Sequence, residues 1–266
     1  MSSVRLAATV ILARPPFEVY LTRRSTRSAF APNAFVFPGG TIEAQDVAPA
    51  AQARAAGLDH ARLADEFRAS VSPELISTEP PIDMDAARAL LVAAVRELFE
   101  EAGVLLACTS SGKPIEPGGA DWHEIAQARQ QVRRGVVSFA GFLTGRGWYA
   151  DARALRLFSH WITPPSEPRR YNTHFFFAAA PPDQAALADA FETHDGVWIA
   201  PRDALERFAR DDMHLVYPTV KHLERLAAFD SVESALRFAR AKPVVTVMPH
   251  DAGDDFQIPP SLETAW

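Results

Sequence analysis

The stretch Arg96-Glu97-Leu98-Phe99-Glu100-Glu101-Ala102-Gly103 sets three carboxylates and an arginine close together. On a helix, positions i, i+3 and i+4 are neighbours, so Glu97, Glu100 and Glu101 share a face. Gly103 stands where a left-handed C′ residue ends a helix. Three anions at the negative end of the helix dipole repel the dipole and one another, each exposed like-charge pair costing about 0.2–0.5 kcal/mol. Within the helix only Arg96, four residues before Glu100, offsets that repulsion. A hard divalent cation reverses its sign, because Mg²⁺ takes oxygen ligands. The same spacing also describes a solvated acidic patch.

Two elements must position these side chains. Ala87, Leu91, Ala94, Val95, Leu98 and Ala102 form an apolar stripe, which predicts a helix capped by Asp83 or Asp85 and running to about Ala102. The acids lie roughly opposite the stripe, so the core fixes one face while the carboxylates turn to a cleft. Upstream, Phe35-Val36-Phe37-Pro38-Gly39-Gly40-Thr41-Ile42-Glu43-Ala44-Gln45-Asp46 reads as a strand entering a glycine turn. Adjacent glycines let a backbone approach a ligand closely, and the Gly40 carbonyl is a candidate metal ligand. Pro117-Gly118-Gly119 looks alike but precedes no carboxylate-rich helix.

Together the two segments resemble the Nudix hydrolase signature, G-x5-E-x7-R-E-U-x-E-E-x-G-U, where U is apolar. Gly40 matches the opening glycine, and Arg96-Glu97-Leu98, Glu100-Glu101 and Gly103-Val104 match the second half. Asp46 stands where the family has Glu, one methylene shorter. Forty-nine residues, against the family's seven, separate Asp46 from Arg96, an insertion of about 42. Long surface loops add little closure entropy, so the insertion is compatible with an intact site.

The resemblance implies an α/β/α sandwich with a mixed sheet and a mainly helical insertion. It also implies hydrolysis of a nucleoside diphosphate derivative with Mg²⁺ or Mn²⁺. Glu97, Glu100, Glu101 and Gly40 are then the metal ligands, and Arg96 orients the carboxylates. The general base is Glu97 or Glu192, and Glu43 is either an outer ligand or a turn residue. Arg23, Arg24, Arg27, Arg169 and Arg170 are candidate phosphate anchors, since a guanidinium donates two parallel hydrogen bonds. Trp161, Tyr171 and Phe175 are either base-stacking residues or core aromatics. Leu21–Ser25, Phe35–Gly40, Trp161–Pro164 and Arg169–Thr173 are similar to the coenzyme A diphosphatase branch of the family. That branch cleaves coenzyme A or acyl-CoA to 3′,5′-ADP and a phosphopantetheine product. The alternatives are ADP-ribose, NADH or another dinucleotide as substrate, and a non-catalytic nucleotide-binding regulatory module.

Composition bounds the rest. The chain has 266 residues, 48% hydrophobic, a net charge of −6 and one cysteine. This suits one domain over 1–240, with an insertion at about 47–82 and a tail at 241–266. The acidic balance argues against a nucleic-acid partner, and the lone Cys108 against a disulfide or a cysteine zinc site. The eight histidines form no H-E-x-x-H pattern and are expected on the surface or in the core. No apolar run approaches membrane-span length, so no membrane partner is expected and a cytoplasmic location is the default. A homodimer stays open, with the insertion either covering the pocket or building the contact. Strands are expected at Val4–Ala13, Glu18–Thr22, Ala34–Phe37, Leu157–Ile162, Thr173–Ala180 and Val197–Ile199. Helices are expected at Asp121–Arg134, from Pro201, at Tyr217–Phe229 and at Ser231–Ala239.

Overall fold

The computed structural model describes residues 4–26, 31–67, 82–116, 119–184, 196–253, 255–263 and 266. Its frame is a mixed eight-stranded sheet. β1 (Arg5–Arg14) and β2 (Glu18–Arg23) form an antiparallel hairpin, joined by β3 (Phe35–Val36) on β2 and β4 (Gly39–Thr41) on β1. Short elements follow: α1 (Ala44–Val47), α2 (Pro49–Gln52), β5 (Ala55–Ala56) and α3 (His60–Glu66). Then come the long α4 (Met84–Ala102), β6 (Ala107–Cys108), α5 (Gly119–Arg133), α6 (Phe139–Arg146) and β7 (Tyr149–Asp151). β8 (Arg156–Ile162), β9 (Tyr171–Ala179) and β10 (Gly196–Ile199) return to the sheet. α7 (Pro201–Ala209), α8 (Tyr217–Leu226), α9 (Val232–Ala241), β11 (Thr246–Val247), β12 (His250–Ala252) and β13 (Asp255–Gln257) complete the order. The sheet runs β10-β2-β1-β9-β8-β11, with β1–β9 and β8–β11 parallel.

Alternation along the central strands explains the layers. Successive side chains of a strand point to opposite faces. Ala8, Val10 and Leu12 of β1 and Phe176 and Ala178 of β9 pack with Leu91, Val95 and Leu98 of α4. Ile11, Ala13, Phe175 and Phe177 face the other way, toward Ala204, Leu223, Leu226 and Ala235 of α7–α9. Helices therefore cover both faces, as an α/β/α arrangement requires. Among the described residues no helix is long and apolar enough to cross a membrane.

Several expectations change. Gly39 and Gly40 form a strand rather than a turn, and neither takes a positive φ. Their value is the missing side chain, since a Cβ on Gly39 would lie 2.4 Å from the Ala8 carbonyl oxygen. The described part of the insertion is mainly helical, as expected, through α2 and α3, and its two-residue β5 joins β7 and β6 in a small second sheet. α6 and β7 went unread because Phe139–Arg146 carries apolar residues without one clear stripe. Residues 241–266, expected as a tail, give β11 to the main sheet and bury Trp266 against Trp161 and His222. Trp161 and Phe175 are buried as well, so these two aromatics serve the core. His160, His174 and His222 are core residues; burial pushes His160 down to about 4 and His222 to about 3, which keeps both neutral.

Candidate active site

The site begins with the two ends of α4. The Asp83 carboxylate accepts from the Ala86 N–H at 2.8 Å, as an N-cap does. At the other end Gly103 takes φ 71°, and its N–H bonds the Phe99 carbonyl. The last carbonyls are not left to water. The buried Arg129 of α5 donates from Nε to the Glu100 carbonyl at 3.1 Å and from Nη2 to the Glu101 carbonyl at 2.9 Å. A cation there also opposes the negative end of the helix dipole. Sequence reasoning missed Arg129, since nothing local ties residue 129 to residues 100 and 101.

Arg96 organises the acids. Its side chain is 1% exposed. Nε and Nη2 fork onto both oxygens of Asp46, at 2.8 and 2.9 Å. Nη1 reaches Glu97 Oε1 at 2.9 Å and Glu100 Oε1 at 3.3 Å, and Nη2 donates to the Thr41 carbonyl. Asp46 in turn accepts from the Glu43 N–H, so Glu43 sits at the turn that opens α1. The shorter Asp is thus buried in an ion pair across 50 positions of chain. Burial opposes the arginine's charge, but the Asp46 hydrogen bond and the surrounding carboxylates keep Arg96 protonated beyond its usual range. Arg96 thus ties Asp46 to two of the glutamates, and a Glu97 that is 9% exposed is not part of a solvated patch.

Glu101 is held from the strand side, its Oε2 accepting from the Gly39 N–H at 2.9 Å. Gly40 lies against Glu97: a Cβ built there would sit 2.3 Å from Glu97 Oε1. Gly40→Ala therefore forces the carboxylate aside. The atoms in the way are the far end of a flexible side chain, so the change falls on the position of the carboxylate rather than on the fold. The variant should turn over substrate more slowly at near wild-type stability; wild-type turnover would show that this contact does not matter.

The three glutamates carry raised pKa values. Burial, joined by the charges of Glu101 and Glu100, pushes Glu97 up to about 7 against the pull of Arg96. Burial raises Glu100 against Arg96, and raises Glu101 against the Gly39 hydrogen bond and the charges of Arg24 and Arg133. A carboxyl whose folded pKa exceeds its unfolded value stabilises the fold at low pH, and that contribution fades as pH rises from about 4.5 to 7. In EDTA, Glu97→Gln should therefore gain melting temperature relative to wild type between pH 5 and 8. A difference independent of pH would contradict the raised Glu97.

Among the described residues, no three His, Cys, Asp or Glu side chains are gathered closely enough to hold a metal ion. The glutamates are instead engaged by Arg96 and the Gly39 N–H. Their chemistry nevertheless fits a hard divalent cation, because every donor is an oxygen. Neighbouring helix positions hold their Cβ atoms about 5–6 Å apart, so rotation of the glutamate side chains suffices to bring the oxygens together.

The other expected site residues are dispersed. Arg24 lies near enough to Glu101 to pull its pKa down, and so does Arg133 of α5, which the sequence reading missed. Arg23 donates to Asn33 and rests over the Phe35 ring. Arg170 donates Nε to the Thr163 carbonyl at the β8–β9 turn, and Arg169 is exposed in that turn. Tyr171 opens β9 opposite Arg5. Arg27 and Glu192 lie outside the described residues, as do Pro117 and Gly118.

Comparison with known proteins places the chain in a family. A family model described as the NUDT19 Nudix domain matches residues 1–226. The acyl-coenzyme A diphosphatase NUDT19 of Gallus gallus is 30% identical, over 90% of this chain and 70% of that protein. The protein of the same name from Homo sapiens is 29% identical, over 88% of this chain and 71% of that one. The crystal structure of a Nudix hydrolase from Alicyclobacillus acidocaldarius superposes with a TM-score of 0.59 at 25% identity, covering 89% of this chain and 97% of that one. With an intact second half of the signature on α4 and a family match over most of its length, the chain belongs to the Nudix hydrolases, enzymes that generally use divalent metals.

Proposed function

We propose that the protein is a metal-dependent diphosphatase that cleaves coenzyme A or acyl-CoA to 3′,5′-ADP and (acyl)phosphopantetheine. The observation that carries the substrate reading is the 30% identity, over most of both chains, to a protein named acyl-coenzyme A diphosphatase. The acidic face of α4 against β4 supplies the chemistry. Glu97, Glu100, Glu101 and the Gly40 carbonyl would hold Mg²⁺ or Mn²⁺. When bound, such an ion neutralises charge on the diphosphate and activates water.

The chain's own residues do the rest. Arg96 holds Glu97 and Glu100 to this face of α4 until they turn onto the ion, and is itself fixed by Asp46. Glu97 lies on this face beside Gly40 and within reach of Arg96, so it is assigned to take the proton from the attacking water. Arg24, and with it Arg133, anchors the non-reacting phosphate beside Glu101. Burial of the carboxylates keeps bulk water away from the charges, which strengthens them.

Incubation with Mg²⁺ and CoA, acyl-CoAs, ADP-ribose, NADH and diadenosine polyphosphates, with product masses measured, tests this reading. The expected products are 3′,5′-ADP and (acyl)phosphopantetheine. Turnover of ADP-ribose with CoA untouched removes the coenzyme A assignment and leaves the family intact. Cleavage of no member, with metal bound, points instead to a nucleotide-binding regulatory module.

A further inference from the structure

A second charged cavity, of about 470 Å³, opens at the start of β8, between α3 and the end of α9. None of its lining residues belongs to the acidic site. In the sheet Arg156 is opposite Phe177 of β9, which is opposite Ile11 of β1. The cavity is thus two strands away from β1, about 10 Å across the sheet, and three positions further along it than Ala8, the partner of Gly40.

Its lining brings together Arg62, Arg156, Arg240 and Lys242 against two carboxylates, Asp65 and Glu66. Among the described residues the carboxylates do not balance the cations. Glu66 is consumed internally, accepting from Arg62 Nε at 3.1 Å and from the Leu157 N–H at 2.7 Å. Asp65 is exposed. Arg62 is locked as a fixed positive charge by the carbonyls of Gly57, Ala152 and Leu155. Among the described residues Arg156 uses only Nη1, on the carbonyls of Arg153 and Leu155, which leaves Nε and Nη2 for another acceptor. Among the described residues Arg240 has no hydrogen bond or ion pair. Lys242 Nζ is shut from solvent without a hydrogen-bond partner and rests near the Phe238 and Trp266 rings.

Like charges that outnumber their counter-ions destabilise a fold unless an anion joins them. From this we infer that the cavity is an anion site for a phosphate monoester, separate from the diphosphate-cleaving face. The free edge of the Arg156 guanidinium and the Arg240 fork are its direct donors, matching the paired oxygens of a phosphate. Arg62 supplies fixed positive potential behind them, and the buried Lys242 Nζ adds to it when protonated. Burial pushes Lys242 down to about 7, with Arg225 adding to it, which is how an ammonium lacking a counter-ion behaves. With Lys242 protonated, the described lining carries two more positive than negative side chains, which a dianion offsets.

The test is isothermal titration of the full chain with inorganic phosphate in EDTA, where the acidic site holds no metal. Wild type should bind one phosphate with millimolar affinity, and Glu97→Gln should bind it equally well. The pair Arg156→Gln and Arg240→Gln should weaken binding at least tenfold. Arg240→Gln alone, an exposed change that leaves packing untouched, should weaken it about threefold or more. No binding by wild type, or unchanged binding by the exposed variant, overturns the site. Kinetics identify the source of the phosphate. A KM rise in Arg240→Gln confined to substrates bearing a phosphate monoester means that the substrate supplies it. Unchanged KM alongside weakened phosphate binding means that a separate phosphorylated metabolite does.

Discussion

Glu97→Gln should lower kcat by about 10²–10⁴-fold, the range expected when a positioned proton acceptor is lost. Gln keeps the length of the side chain and an oxygen that can accept from Arg96 Nη1, now 2.9 Å from Glu97 Oε1. The fold should therefore survive, with an unchanged circular dichroism spectrum. What disappears is the negative charge and the ability to take a proton. Gly40 has no Cβ, and the three atoms nearest to where one would stand all belong to this carboxylate. Glu100→Gln and Glu101→Gln remove other charges from the same face and should also depress turnover. If Glu97→Gln retains more than about a tenth of wild-type kcat, Glu97 is not the base.

Arg96→Met should cost about 3–5 kcal/mol of stability, because it strips the partner from a buried carboxylate. Asp46 is 1% exposed and is held by both arms of the guanidinium. Methionine approximates the volume of the stem, so the loss is electrostatic rather than a cavity. In a chain of this size each kcal/mol moves the melting temperature by about 2–4 °C, giving an expected drop of about 6–20 °C. Arg96→Lys should recover only part of this, since an ammonium cannot present two parallel donors. Combining Arg96→Met with Asp46→Asn should cost less than the sum of the two, because the second change removes the orphaned charge. Strict additivity, or a drop below 2 °C, would mean that the pair does not hold α1 to α4.

What was legible in the sequence follows from the range of the forces involved. Helix caps and periodic stripes act within a few residues, so α4 appears with Asp83 and Gly103 at its ends. Hairpin β1–β2 and strands β8, β9 and β10 appear for the same reason, as alternating or continuous apolar runs. The Arg96–Asp46 fork was hidden because it spans the insertion, although each residue alone was noticed. Arg129 and Arg133 were invisible, being placed by helix–helix packing rather than by local pattern. The glycine pair was read as a turn because Pro-Gly-Gly is usually one. Only the packing of β4 between β1 and α4 reveals that closeness, and not φ, demands glycine there.

The three glutamates are engaged by Arg96 and Gly39 in the described arrangement, so the claim that they turn together onto a cation is the one to test first. Titrating Mn²⁺ into wild type and into the triple variant Glu97→Gln, Glu100→Gln, Glu101→Gln, with free ion counted by electron paramagnetic resonance, tests it without any substrate. Wild type should take up Mn²⁺ saturably, more tightly at pH 8 than at pH 6 as the raised carboxyls ionise, and the triple variant should take up none at that site. Equal uptake by the two proteins would contradict the account.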